Sequence, residues 1–400
     1  MVFGALGCAD APDAPAALAQ RSDHIVYGAD DRRDLYEAPT ELRELARGAI
    51  VGLIPTPRLQ RLAGGEVRIA TIPLGTAYDL CEGERFAEQP TAADCTGVLI
   101  DDDLVLTAGH CFEDSDCADY SYVFDYFYRA DGQLESITSG DVYTCRKLVA
   151  HEISTRGTRQ IDYGVVQLDR PVPDRKPLAL RAQPALAGEM LTVLGMGSGL
   201  PIKADSGARI INAREQQRDY FMLEADTFEG SSGSAIVDGS GGLLGVLVRG
   251  GRDYIRDATG TCHEVNRLER AMEAELSGGD MAHEEGTYAV NARDGVCASG
   301  FPSQRLCDIA SACGDTFCTG SESRKSCPED CDPCQGENCG ARGSVPFEAG
   351  EERKQSSGTG RIKRAGCALA SATSVGHGSH SGAAWLLALA AVLGLRRRRV

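Results

Sequence analysis

The feature that most limits what this chain can fold into is the shortness of its apolar runs. Between residues 25 and 276 they last four to seven residues, as in Gly97-Val98-Leu99-Ile100, Tyr163-Gly164-Val165-Val166-Gln167-Leu168 and Leu243-Leu244-Gly245-Val246-Leu247-Val248, and Gly, Pro and Asp bound them. Runs of this length, rich in Val, Leu and Ile, read as strands of an all-β sandwich or barrel. Two stretches have helical spacing instead. One covers residues 38–53; the other, residues 265–276, sets Val265, Leu268, Met272 and Leu276 three to four apart, which suits a helix closing the domain.

Beyond residue 276 the pattern changes. Residues 277–296 are rich in Gly, Glu and Asp and read as a linker. Residues 297–339 hold eight of the sixteen cysteines with almost no aliphatic core, so cross-links must hold that module. Residues 340–381 read as a flexible stalk. Residues 382–395 are apolar and four arginines follow, Arg396 to Arg399. As a helix that run spans ~21 Å against a hydrocarbon core of ~30 Å, a thin membrane span with a cytoplasmic stop. At the other end, residues 1–24 begin with Met1 to Cys8, which read either as the tail of a lipoprotein signal with Cys8 lipidated or as an unrelated stub.

Composition narrows the function classes. With 41 Lys+Arg against 58 Asp+Glu the net charge is −17, and there is no basic groove to offset it, so nucleic acid is excluded as a partner. Sixteen cysteines point to disulfides in an oxidising compartment, hence an exported protein. Apart from Cys8 and Cys367, six lie before the module and eight within it, which suits three and four internal bridges.

Three segments carry chemistry. In Cys95-Thr-Gly-Val-Leu-Ile-Asp-Asp-Asp-Leu-Val-Leu-Thr-Ala-Gly-His110-Cys111 two apolar strands flank an acidic turn, and the second delivers a histidine beside a cysteine able to bridge back to Cys95. A histidine pinned in this way suits a general base. In Glu229-Gly230-Ser231-Ser232-Gly233-Ser234 the glycines let backbone N–H groups converge on one point, as an oxyanion hole requires. In Gln160-Ile161-Asp162-Tyr163 an aspartate heads an apolar strand, where it can be buried and still reach a histidine. Taken singly, such an Asp is a turn residue and such a Ser a loop residue; His151 and His263 read as surface or structural groups.

Together, in the order His, Asp, Ser and at spacings of 52 and 70 residues, these segments resemble the chymotrypsin-like serine peptidases, in particular the bacterial glutamyl-endopeptidase-like branch. The start Ile25-Val26-Tyr27-Gly28-Ala29-Asp30-Asp31-Arg32 resembles that of the mature enzymes of that branch. The resemblance covers about residues 25–275. It implies two perpendicular six-stranded antiparallel barrels, with Ser232 as nucleophile, His110 as general base, Asp162 orienting the imidazole, and the amides of Gly230 and Ser232 as the oxyanion hole. It departs from the family at Ala235, where proline is preferred, and at Ser231, where zymogens of the family keep an aspartate to pair with a freshly cut N-terminus.

Specificity stays open between two readings. Asp226, six residues before Ser232, falls where the trypsin-like pocket floor would bind Lys or Arg, whereas Arg249 is the positive group nearest to where the glutamyl branch keeps a histidine. The absent histidine tilts the expectation toward basic or small residues. Gly366-Cys367, the apolar run and the arginine cluster resemble a myxobacterial C-terminal sorting tag of the MYXO-CTERM type, which implies membrane contact and sorting machinery acting near Cys367. The chain thus reads as an exported serine endopeptidase held in the cell envelope or at the cell surface, or released from it, acting on protein or peptide substrates. A non-catalytic peptidase-like binding module and an esterase using the same triad are the alternatives. No cofactor and no metal site are expected; the module's acidic residues would suit calcium, but a solvated disulfide knot accounts for them.

Overall fold

The computed structural model describes residues 26–154, 159–273 and 281–307. Twelve strands build two rings. The first comprises β1 (Ile50–Pro55), β2 (Cys95–Leu99), β3 (Leu104–Thr107), β4 (Tyr120–Val123), β5 (Val142–Ser154) and β6 (Ile161–Leu168), paired antiparallel in the closed order β4-β5-β6-β3-β2-β1. The second comprises β7 (Met190–Gly195), β8 (Lys203–Asn212), β9 (Tyr220–Glu224), β10 (Ala235–Val237), β11 (Leu243–Arg249) and β12 (Glu284–Tyr288), closed as β7-β10-β11-β12-β9-β8. A two-residue strand, Arg33–Asp34, adds to the outside of β8. Closure pairs each ring strand on both sides, and the residues packed into the core include Val98, Leu106 and Val165 from the first barrel and Ile210, Phe221, Leu223 and Ile236 from the second, all essentially fully buried.

Both helical expectations need correction. Helix α1 spans Thr40–Ala49 and stops there, because Ile50 and Val51 are β-branched, Gly52 follows, and all three pair with Val98, Gly97 and Thr96 of β2. Residues 265–273 hold no helix. His263–Val265 pairs with Tyr254–Arg256, and Arg267–Leu268 runs parallel to Val26–Tyr27. The apolar spacing there serves two small clusters, Val265 with Val26 and Phe228, and Leu268 with Tyr27.

The linker reading also fails. Residues 284–288 are β12, the strand inserted between β9 and β11, and helix α2 (Ala289–Ala298) follows it directly. The acidic pair that suggested a linker is buried and engaged: Glu284 accepts from Thr227 Oγ1 at 2.9 Å, and Glu285 from Arg249 Nε at 2.5 Å. The barrels therefore extend past residue 276. A chain ended at residue 276 is expected to give no cooperative melting transition, since β9 and β11 would lose their shared neighbour; a melting curve like that of the full chain would refute this.

Three disulfides tie the barrel region, Cys81–Cys262, Cys95–Cys111 and Cys117–Cys145, and a fourth, Cys297–Cys307, links α2 to the turn after it. That turn packs on the first barrel, Phe301 against Lys147 and Ser303 Oγ donating to Asp101, so the start of the cysteine-rich stretch is continuous with the barrels. No helix among the described residues is long and apolar enough to cross a membrane. Cys8, residues 308–339, the stalk, Cys367 and the apolar C-terminal run lie outside the described residues.

Candidate active site

His110 leaves the end of β3 on a single helical turn, Gly109–Phe112, held by the Cys95–Cys111 disulfide to the neighbouring strand. Asp162 is the second residue of β6, 4% exposed, and faces that turn across the β3–β6 pairing. Its Oδ1 accepts the N–H groups of Gly109 (2.6 Å) and His110 (3.1 Å), and its Oδ2 lies 2.8 Å from His110 Nδ1. Burial alone would raise this carboxyl, but the hydrogen bond and charge of His110, with Arg249 nearby, hold it below the ordinary carboxylate range. The carboxylate therefore fixes the ring with Nδ1–H toward itself and leaves Nε2 as an acceptor.

Ser232 comes from the second barrel, on the loop between β9 and β10, and its Oγ lies 2.7 Å from His110 Nε2. A threonine that sequence reasoning passed over spans the two barrels at this point. Thr96, in β2, donates its N–H to Ser232 O (2.8 Å) and its hydroxyl to Gly230 O (3.2 Å). The approach is so close that Gly233, at φ +83°, has no room for a side chain: a Cβ there would sit 1.9 Å from Thr96 O. The one sequence signal for Thr96 is its place beside Cys95 in the disulfide motif.

Glu229 is fixed through both of its backbone polar groups. Ser198 N donates to Glu229 O, and Glu229 N donates to Asp253 Oδ2 at 2.7 Å. Ser198 adopts a left-handed conformation, φ 53°, to deliver that N–H, with its hydroxyl 2.8 Å from Tyr254 OH. No hydrogen bond among the described residues takes up the N–H of Gly230 or of Ser232. Both N–H groups are thus left unspent, as the expected oxyanion hole requires.

The two specificity candidates are not brought to such a position. Both Asp226 oxygens are taken by backbone amides, Tyr27 N at 2.9 Å and Asp31 N at 2.6 Å, and its own N–H donates to Asp205. Arg249 is committed to Glu285 and to Gln160 Oε1 (2.9 Å), close to Asp162. A charge already satisfied inside the fold is not offered to a substrate, so both pocket expectations are corrected. His151, also outside the Asp162–His110–Ser232 line, has Nε2 2.9 Å from Gly109 O.

Asp226 has a further consequence for stability. Asp31, Asp205 and Asp226 bring carboxylate oxygens within 4.8 Å of one another. Burial pushes Asp205 up, and burial together with the charge of Asp205 pushes Asp226 up to about 7. The native state keeps protons here that an unfolded chain gives up above about pH 4, so this contribution is full below that and is lost as pH rises toward 7. The melting temperature should fall between about pH 5 and pH 7.5, and the fall should be shallower in Asp205→Asn. Equal slopes in the two proteins would contradict the assignment.

Among solved structures, the chain is similar to a Glu endopeptidase (16% identity, 69% of this chain and 97% of that one, TM-score 0.37). It is similar also to the Vibrio cholerae VesB protease (18% identity, 66% and 65% covered, TM-score 0.38) and to an inactive form of the Rv3671c protease (20%, 52% and 83%, TM-score 0.33). The two-barrel fold is trypsin-like, and residues 95–246 match the family model described as a trypsin-like peptidase domain.

Proposed function

We propose that this chain is a serine endopeptidase that hydrolyses peptide bonds through an acyl-enzyme. The observation that carries the reading is the unbroken line Asp162 Oδ2, His110 Nδ1, His110 Nε2, Ser232 Oγ, at 2.8 and 2.7 Å, with the free N–H groups of Gly230 and Ser232 beside the hydroxyl. Ser232 Oγ attacks the substrate carbonyl as His110 Nε2 takes its proton. The tetrahedral oxyanion is held by the two N–H groups. The imidazolium then hands its proton to the leaving amine, and a water repeats the sequence to release the acid. Treatment of the full chain with a fluorophosphonate at pH 8, followed by a peptide library, tests the reading. Covalent labelling with peptide cleavage supports it; labelling with ester turnover alone makes it an esterase, and absence of label leaves a binding module.

We further propose that the protein works outside the cytoplasm. Four disulfides among the described residues fit an oxidising compartment. Retention in the envelope is assigned to the apolar run and arginine cluster after Cys367. Deleting residues 366–400 should move the enzyme into the medium with its turnover intact; unchanged retention would reject the anchor.

A further inference from the structure

A second buried charge sits beside the loop that carries Ser232. Arg32, from the segment leading into strand Arg33–Asp34, is 4% exposed. Its Nε and Nη2 fork onto Asp30 at 2.9 and 2.8 Å, and Arg85 braces the same carboxylate from outside at 3.0 Å. Its guanidinium carbon lies 3.7 Å from the centroid of the Phe228 ring. Nη1 is buried with no hydrogen-bond partner. Arg32 lines a cavity of about 20 Å³ together with Thr227, Ser231 and Ser234, room for a single water. Lys203 reaches this cavity too, but its ammonium is spent on Asp34, Gln89 and the carbonyl of Pro201.

The turn above the guanidinium is closed on itself. Ser231 N donates to Phe228 O at 2.7 Å, and Phe228 N to Ser231 Oγ at 3.2 Å, so Phe228 moves with the peptide of Gly230 and with Ser232. A cation against an aromatic face, stripped of water, is a strong anchor, and Arg does this better than Lys because its plane stacks while its edge forks onto a carboxylate. The orphaned donor indicates that packing on Phe228, rather than complete hydrogen bonding, sets where this guanidinium rests.

We propose that Arg32 is a positioning residue: stacked on Phe228 and pinned by Asp30, it holds the turn Phe228–Ser231 so that the N–H groups of Gly230 and Ser232 point at the oxyanion. This rests on the serine-peptidase reading above. Ser231 supplies no carboxylate to anchor the turn from within, and Arg32 supplies the anchor from the start of the described chain.

The test uses the full chain carrying Arg32→Met, Arg32→Lys or Arg32→Ala. Misplaced oxyanion donors should lower kcat of Arg32→Met by about 10²-fold with KM within about threefold, since the loss falls on the transition state. Arg32→Lys should retain about a tenth of wild-type kcat, and millimolar ethylguanidinium should restore kcat of Arg32→Ala by about tenfold. Wild-type kcat in Arg32→Met overturns the proposal, as does an equal loss in the Met and Lys variants without rescue. Should Arg32→Met fail to melt cooperatively, Arg32→Lys decides: a lowered kcat at unchanged KM supports the assignment and an unchanged kcat rejects it. Wild-type protein that takes no fluorophosphonate overturns the peptidase reading and this proposal with it, whereas labelled wild type with an unaffected Arg32→Met overturns the proposal alone.

Discussion

Replacing Ser232 by alanine should abolish fluorophosphonate labelling and lower peptide turnover by about a millionfold, the size of effect seen when the nucleophile of a Ser-His-Asp unit is removed elsewhere. The reason is that Oγ is the atom proposed to bond to the substrate carbonyl, and no neighbouring hydroxyl shares its 2.7 Å contact with His110 Nε2 among the described hydrogen bonds. The fold should be indifferent to the change. The loop is held through its backbone, by Thr96 on the carbonyls of Ser232 and Gly230, and alanine keeps that backbone. Labelling and turnover are therefore measured beside a melting curve. Turnover within tenfold of wild type would remove Ser232 from the chemistry, and a collapsed melting curve would make the loss uninformative about it.

Asp162→Asn should cost about 10⁴-fold in kcat with little change in KM, the size known for the equivalent change in a related triad. The argument runs through the tautomer. Asp162 Oδ1 already accepts two backbone N–H groups, so an asparagine keeps its carbonyl oxygen there and turns its NH₂ toward His110 Nδ1. A donor facing Nδ1 moves the ring proton to Nε2, and an Nε2–H cannot accept from Ser232. Steady-state kinetics at pH 8 checks this. A fall of less than tenfold would mean that the turn around His110 fixes the ring without the carboxylate.

The residues that sequence alone made legible share one property: their signal is local. His110 ends an apolar strand beside a cysteine, Ser232 sits between glycines, and Asp162 heads the strand that pairs with that of His110. Each segment can be read within about ten residues, the short runs give an all-β sandwich or barrel, and the two barrels and the joint roles come only with the family resemblance of the three segments in order. What was hidden depends on partners far along the chain. Glu284 and Glu285 look like linker acids until Thr227 and Arg249 are placed beside them. Asp226 looks like a pocket floor until the amides of Tyr27 and Asp31 close on it, some 195 positions away in sequence. Arg32 shows only as part of the family-like start Ile25 to Arg32, and its packing on Phe228 is not legible there. The false helix at residues 265–273 has the same origin: a spacing of three to four also fits short strands when a disulfide from Cys81 fixes one end and Val26–Tyr27 pairs with the other.

The position of β12 bears on when Ser232 and His110 can come together as the chain folds. A ribosome releases the chain from its N-terminus at ~5–20 residues per second, and the first barrel can assemble as soon as β6 has emerged. The second cannot. Its ring stays open between β9 and β11 until residue 288 appears, well after Ser232 has left the ribosome. Through that interval the loop that carries Ser232 lacks the closed ring that holds it in the finished fold. On the serine-peptidase reading, competence therefore waits for the closing strand wherever the chain folds.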